Sequence, residues 1–470
     1  MTNEFRTEKD SLGVKEVPID AYYGIQSMRA MENFPISRCK AHPVFVYSIA
    51  QVKRAAAVVN GKLGLLKPKI SKAIVEAVDE LLTGKFDAHF VVDVYQAGAG
   101  TSQNMNVNEV LANRANEILG IPKQQREGRI VHPNDHVNMG QSTNDVIPCA
   151  IRIAALSLLP EFKKCFLSLI DALQAKAQEF DHIVKSGRTH LQDAVPVRLG
   201  QEFGGYAASL RVFIDRLELA SHDMGNIGIG GSAAGTGLNV HKDYRKMMVE
   251  EFAEHLGYDV RQSDNYFASM QGHFDAVFLS NVISGIAIEL IRIANDLRLL
   301  SSGPRTGLGE ILLPPVQPGS SIMPGKVNPV MCEMLNMVCF QVMGFNQAIQ
   351  WAGAAGQMEL NVMMPLIAND IIEMLQILTN AIRTFTERCV RGITAFEDKC
   401  RWFAENSISM VTVLNTYIGY DKAAEIAKEA VATGKGLREI IIARGLMSDD
   451  ELNKVFDLTH LTEPGIPGKE

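Results

Sequence analysis

The chain has 470 residues, 47% apolar and 21% charged, a folded-protein composition on a chain too long for one compact core. Its formal net charge of -7 argues against nucleic acid or an anionic membrane as the main partner, so an anionic ligand needs a local cationic site. Seven cysteines, an odd number with no C-x-x-C pair, read as free thiols of a reducing cytoplasm.

Taken in chain order, residues 1–10 are charged and polar and predict no secretory signal. The first part, to about Asp145, reads as mixed, with short helical runs and loops rich in Asn and Gly. From Leu159 onward, Phe162, Phe166, Leu169, Ile170 and Leu173 fall on one face of an amphipathic helix. Glycine-rich and proline-rich breaks follow at residues 225–237 and 303–325. Between them, Asp275 to Ser302 is apolar almost all round, with Leu279, Val282, Ile283, Ile286, Leu290 and Ile293 among its residues. As a helix it extends roughly 42 Å and must be buried on every side. One chain of this size does not enclose several such rods, so a bundle completed by other subunits is expected. Residues 330–350 and 360–388 extend the pattern.

The longest uncharged run, residues 334–358, carries Asn336, Gln341, Asn346, Gln347 and Gln350, an amide density that argues against a bilayer span. Cys332 and Cys339 lie seven apart on one helical face and read as core thiols. From about Asp398 the chain reads as short helices with C-terminal marks at Gly434 and Gly445. Three segments are expected: 1–145 mixed, 146–397 a long helical bundle, and 398–470 a small helical tail.

Several familiar motifs are only approximated. Gly325-Lys326 lacks both the spacing and the following hydroxyl of a phosphate loop. Gly228-Ile229-Gly230 has Ala233 where a dinucleotide fingerprint needs its third glycine. Without H-E-x-x-H, a Cys/His ligand set or a G-x-S-x-G elbow, no metal and no cofactor are expected.

What remains is Gly319-Ser320-Ser321-Ile322-Met323-Pro324-Gly325-Lys326-Val327-Asn328-Pro329, a loop of hydroxyls, an amide and a lysine suited to move and to hold an anion. Residues 98–106, 132–145 and 187–193 form three further clusters of hydroxyl and amide side chains beside glycine or proline. Each lies at the edge of a helical segment, so each alone reads as a cap or turn. Together they supply neutral donors that bind carboxylates without the desolvation cost of many buried charges. The matching chemistry is proton abstraction beside a carboxylate and loss of a β-leaving group through a stabilised enediolate. Ser320 is a candidate base, provided Lys326 and backbone N–H groups stabilise its alkoxide.

With these clusters in place, the chain resembles the aspartase/fumarase superfamily. The 319–329 loop matches its signature, and the other clusters fall in the superfamily's order from Arg6-Thr7-Glu8-Lys9-Asp10 to Gly392-Ile393-Thr394-Ala395. Asp20-Ala21-Tyr22-Tyr23-Gly24, Gly98-Ala99-Gly100-Thr101-Ser102 and Gln141-Ser142-Thr143-Asn144-Asp145 lean toward the aspartase branch, which deaminates L-aspartate to fumarate. The class II fumarase branch is the alternative. Lyases of N-substituted aspartates and a non-catalytic structural relative stand further off.

The resemblance implies a mostly α, three-domain fold and a homotetramer whose central helices form one bundle, with each active site shared by three subunits. It implies Ser320 as general base and assigns Thr101, Ser142, Thr143 and Ser321 to the carboxylate that becomes the enediolate. Thr189, His190, Lys326 and Asn328 would hold the other carboxylate, and Asn144 the amino group. The partner is then a small dicarboxylate, with no nucleic acid and no membrane. Met139, Gly140 and the turn 227–232 depart from the usual pattern beside the pocket.

Overall fold

Helix dominates residues 4–467, which the computed structural model describes. Four long helices carry the apolar stripes: Thr143–Glu179, Phe274–Leu300, Val330–Ala354 and Met364–Arg388. In Phe274–Leu300 the side chains of Leu279, Ile283, Ile286, Leu290, Ile293 and Leu297 are wholly buried, as an all-round apolar helix requires. Ile288 on the same helix stays 51% exposed, so one chain does not cover it completely. By length and composition this helix is long and apolar enough to cross a membrane, yet 56% of its most apolar window is buried inside the fold. Cys332 and Cys339 are core thiols, and all seven cysteines are free.

The chain divides into two compact units, and the long helices contribute residues to both. The first unit holds residues 4–163, 214–287 and 339–379. Its N-terminal hairpin pairs Phe5–Asp10 with Gly13–Pro18 in antiparallel register. Arg6 anchors this hairpin from inside, donating to Glu8 at 2.9 Å and to the carbonyls of Pro18, Ala21 and Tyr23, each at 2.8 Å. Beside it runs the helix Thr101–Ile118, which buries Gln103, Asn104, Asn106, Asn108, Glu109, Asn113 and Asn116. So many buried amides on one helix need polar partners, and the loops around the candidate site supply several of them.

The second unit holds residues 164–213, 288–338 and 380–467. A hairpin pairs Val184–Thr189 with Gln192–Arg198, with an irregularity between Ser186 and Arg188. Short helices close the chain: Glu397–Asn406, Tyr420–Thr433, Leu437–Ala443 and Asp449–Val455. Gly434 ends the second of them in the left-handed conformation, as its sequence mark suggests. Leu414, Ile426, Ile440, Ile441 and Leu452 form the buried core of this tail.

Candidate active site

In the first unit the helix starts at Thr101 and Thr143 are brought together. Gly100 sits so close to Ile147 that a Cβ there would lie 3.1 Å from Ile147 Cγ1. Asn104 Nδ2 donates to Thr143 Oγ1 at 3.3 Å. Two helix N-termini side by side, with hydroxyls on them, suit a carboxylate. Thr101 is exposed, Ser142 and Asn144 are half-buried, and Thr143 is almost covered. The helix from Thr101 has Gly100 as its N-cap and no side-chain cap, so Thr101 is not spent as one. Ser142 does cap: its Oγ accepts from the Asn144 N–H at 3.3 Å, and its own N–H donates to Asp145 Oδ1 at 2.9 Å. This is a reciprocal cap of the S-x-x-D kind, for which Ser142-Thr143-Asn144-Asp145 is the local sequence signal.

Two buried charges flank that turn. Lys53 Nζ donates to Asn138 Oδ1 at 2.8 Å and to Gln141 Oε1 at 3.0 Å. Burial lowers the Lys53 pKa to about 7, partly offset by attraction to Asp145. Burial raises Asp145 to about 6, against the pull of three backbone N–H donors and of Lys53. Lys53 does not stand out in the sequence, because its partners lie 85 and 88 positions away. Gly140 also finds its reason: φ is +70°, a left-handed value that favours glycine, with the buried Tyr244 ring packed close by. The Met139 carbonyl accepts from Asn60 Nδ2 at 3.0 Å and from Gln141 Nε2 at 3.2 Å.

The second unit carries the remaining site residues on two separate segments. Residues 187–193, expected at a helix edge, lie instead at the tip of the hairpin. Thr189 pairs with Gln192, leaving His190 and Leu191 as a two-residue turn with φ +55° and +59°. Both positive values are what a tight, right-twisted hairpin demands, although neither residue is Gly, Asn or Asp. Thr189 and His190 are exposed at that tip.

The 319–329 loop is tied at its neck. Gly319 N–H donates to the Lys326 carbonyl at 2.8 Å, and Asn328 Nδ2 donates to the Gly319 carbonyl at 2.6 Å. At its tip Ser320 Oγ accepts from the N–H groups of Met323 at 2.9 Å and Ile322 at 3.2 Å. Ser321 and Lys326 are exposed, while Ser320 and Asn328 are half-buried. Among the described residues no hydrogen bond joins this loop to Thr189 or His190.

A cavity of about 640 Å³ lies elsewhere in the first unit. Gln26, Arg29, Asn113, Arg126, Arg129 and His132 line part of it, and Ser102 reaches it from the 98–106 cluster. No group of three His, Cys, Asp or Glu among the described residues is placed to hold a metal ion.

Comparison with known proteins gives this geometry a family. The family described as Lyase matches residues 13–344, and the one described as Fumarase C C-terminus matches residues 410–463. An aspartate ammonia-lyase of a Bacillus species is 44% identical over 470 residues, covering 100% of both chains. A class II fumarate hydratase of Halobacterium salinarum is 46% identical, covering 99% of both. The crystal structure of a Brucella melitensis fumarate lyase:delta crystallin superposes with a TM-score of 0.93 at 45% identity, covering 98% of this chain and 100% of that one. The chain belongs to the aspartase/fumarase superfamily of lyases.

Proposed function

We propose that the protein is an aspartate ammonia-lyase, converting L-aspartate reversibly to fumarate and ammonia. The observation that carries the reading is the Ser320 hydroxyl, whose oxygen already accepts two backbone N–H groups. Those donors would stabilise an alkoxide, which an isolated serine does not sustain near neutrality. The alkoxide takes the proton from the substrate Cβ, and the electron pair passes into the adjacent carboxylate as an enediolate. Thr101, Ser142, Thr143 and Ser321 hold the oxygens that gain charge. The pair then returns to form the carbon–carbon double bond as the C–N bond breaks and ammonia leaves. Thr189, His190, Lys326 and Asn328 hold the second carboxylate, and Asn144 meets the amino group.

The single chain leaves Met337 65%, Phe340 58% and Trp351 73% exposed along Val330–Ala354. Apolar side chains in such a row suit burial against other copies. Membership of the superfamily implies that the assembly is a homotetramer with each site shared by three subunits, which we propose here for a cytoplasmic enzyme. The division into segments 1–145, 146–397 and 398–470 belongs to the same reading. The fumarate hydratase reading is second, favoured by the full-length similarity to the Halobacterium protein. Ser320→Ala tests the base. It should lower fumarate formation from L-aspartate by about 10²- to 10⁴-fold without altering the oligomer seen in sedimentation. Retained turnover in that variant would sink the assignment.

A further inference from the structure

Asp145 takes no part in the chemistry above, yet it is wholly buried beside three residues that do. Its carboxylate gathers N–H groups from its own turn and from one distant loop. Oδ1 accepts from Ser142 at 2.9 Å, while Oδ2 accepts from Gly230 at 2.9 Å and Ser232 at 2.8 Å. The loop it captures is held from its other side by Arg245, which donates to the carbonyls of Gly230 at 3.0 Å and Gly235 at 3.1 Å. The Arg245 guanidinium stacks 3.8 Å from the Tyr266 ring centroid. Gly230 and Ser232 both adopt positive φ, +87° and +58°, so the loop is bent to present its amides to the carboxylate. This is the turn whose sequence departs from the superfamily's usual pattern.

The consequence falls on the residue next door. Asn144 Nδ2 donates to the carbonyl of Ala233, in the same loop, at 2.8 Å. With the nitrogen engaged, the amide cannot flip without facing one carbonyl with another. Asn144 Oδ1, which accepts from no group among the described residues, is then the atom offered to a ligand. An ammonium group carries donors and no acceptor, so an oxygen there attracts it and an NH₂ would repel it.

We propose that Asp145 is a positioning residue that, by fixing the 230–233 loop against Asn144, makes the leaving-group subsite an acceptor and so holds the amine. The proposal rests on the ammonia-lyase reading. A purely structural Asp145, serving only as the helix cap, would disturb both halves of the substrate alike. A positioning Asp145 acts chiefly on the amine.

The experiment is the reverse reaction of the full chain, following loss of fumarate while ammonium and fumarate are varied in turn. Asp145→Asn should raise KM for ammonium about tenfold or more, with KM for fumarate rising less than about threefold. Arg245→Met loosens the same loop without touching a buried carboxylate and should give the same split, which covers the case in which Asp145→Asn does not fold. Equal changes in the two KM values, or none, in the variant that folds would overturn the proposal. A wild-type chain that adds water rather than ammonia would instead overturn the ammonia-lyase reading, before any variant is compared.

Discussion

Arg188 Nη1 donates to both carboxylate oxygens of Glu310, each at 3.0 Å, from the position immediately before Thr189. Glu310 is fully buried and also draws Lys185 Nζ to 3.3 Å, and Lys185 in turn donates to Glu202 at 2.8 Å. The Arg188 guanidinium lies 5.1 Å from the Phe403 ring centroid. The irregularity at Gly187 aims the side chain this way. A Cβ on Gly187 would fall 2.6 Å from the Val195 carbonyl, so the backbone approach there needs glycine. Glu310 thus anchors the base of the turn that carries Thr189 and His190.

Breaking that pair from one side should cost more than altering it. Glu310→Gln leaves Lys185 and Arg188 without their buried counter-charge, a loss of about 3–5 kcal/mol in denaturant unfolding. Arg188→Lys keeps the charge but loses the flat guanidinium lying over Phe403, so it should fold and show KM for the dicarboxylate raised about tenfold with a smaller change in kcat. Both variants behaving as wild type would show that Glu310 does not hold the turn.

The neck of the 319–329 loop leaves no room for a side chain. A Cβ on Gly319 would meet the Lys326 carbonyl at 2.3 Å and the Asn328 nitrogen at 2.8 Å. Gly319→Ala must therefore open the neck and shift Ser320. Because the loop is surface-exposed, folding stability should change by less than about 0.5 kcal/mol. Turnover should fall by about 10²-fold, the usual cost of misplacing a catalytic group by an ångström. Unchanged turnover would mean that the neck does not set the position of Ser320.

Lys53 should impose a pH dependence on stability. Burial lowers its pKa from 10.5 to about 7 in the folded chain. Between those values the unfolded chain binds the proton and the folded chain does not, so this residue's contribution to stability rises with pH across that window. Below about pH 7 the folded chain carries the full cost of the buried charge. Lys53→Met removes the titration. The stability of the wild type relative to this variant, read from urea midpoints, should therefore climb from about pH 7 toward about pH 10. A difference that is flat with pH would show that Lys53 keeps its ordinary acidity when buried.

Much of the fold is legible in the sequence. The apolar run expected as a helix from Asp275 to Ser302 appears as Phe274–Leu300, and the runs at 330–350 and 360–388 appear as Val330–Ala354 and Met364–Arg388. These succeed because a long stripe of apolar side chains leaves no alternative to burial. The hairpin Val184–Arg198 escapes a sequence reading for two physical reasons. Lys185 and Ser186 are buried polar residues inside an irregular strand, so no apolar alternation is visible. Its turn, His190-Leu191, takes left-handed backbone without the Gly, Asn or Asp that usually signals it. The site divides in the same way. Hydroxyl and amide clusters, and the cap that Asp145 gives Ser142, announce themselves locally, whereas Lys53, Glu310 and the second carboxylate oxygen of Asp145 act through partners 85 to 122 positions away, which no local pattern reveals.

The leaving group separates the ammonia-lyase from the hydratase, and one assay addresses it: absorbance in the fumarate band with the purified wild-type chain, given L-aspartate and, separately, L-malate. An ammonia-lyase forms fumarate from aspartate and none from malate, and that is the expected result. Fumarate from malate alone would contradict it and make the protein a hydratase.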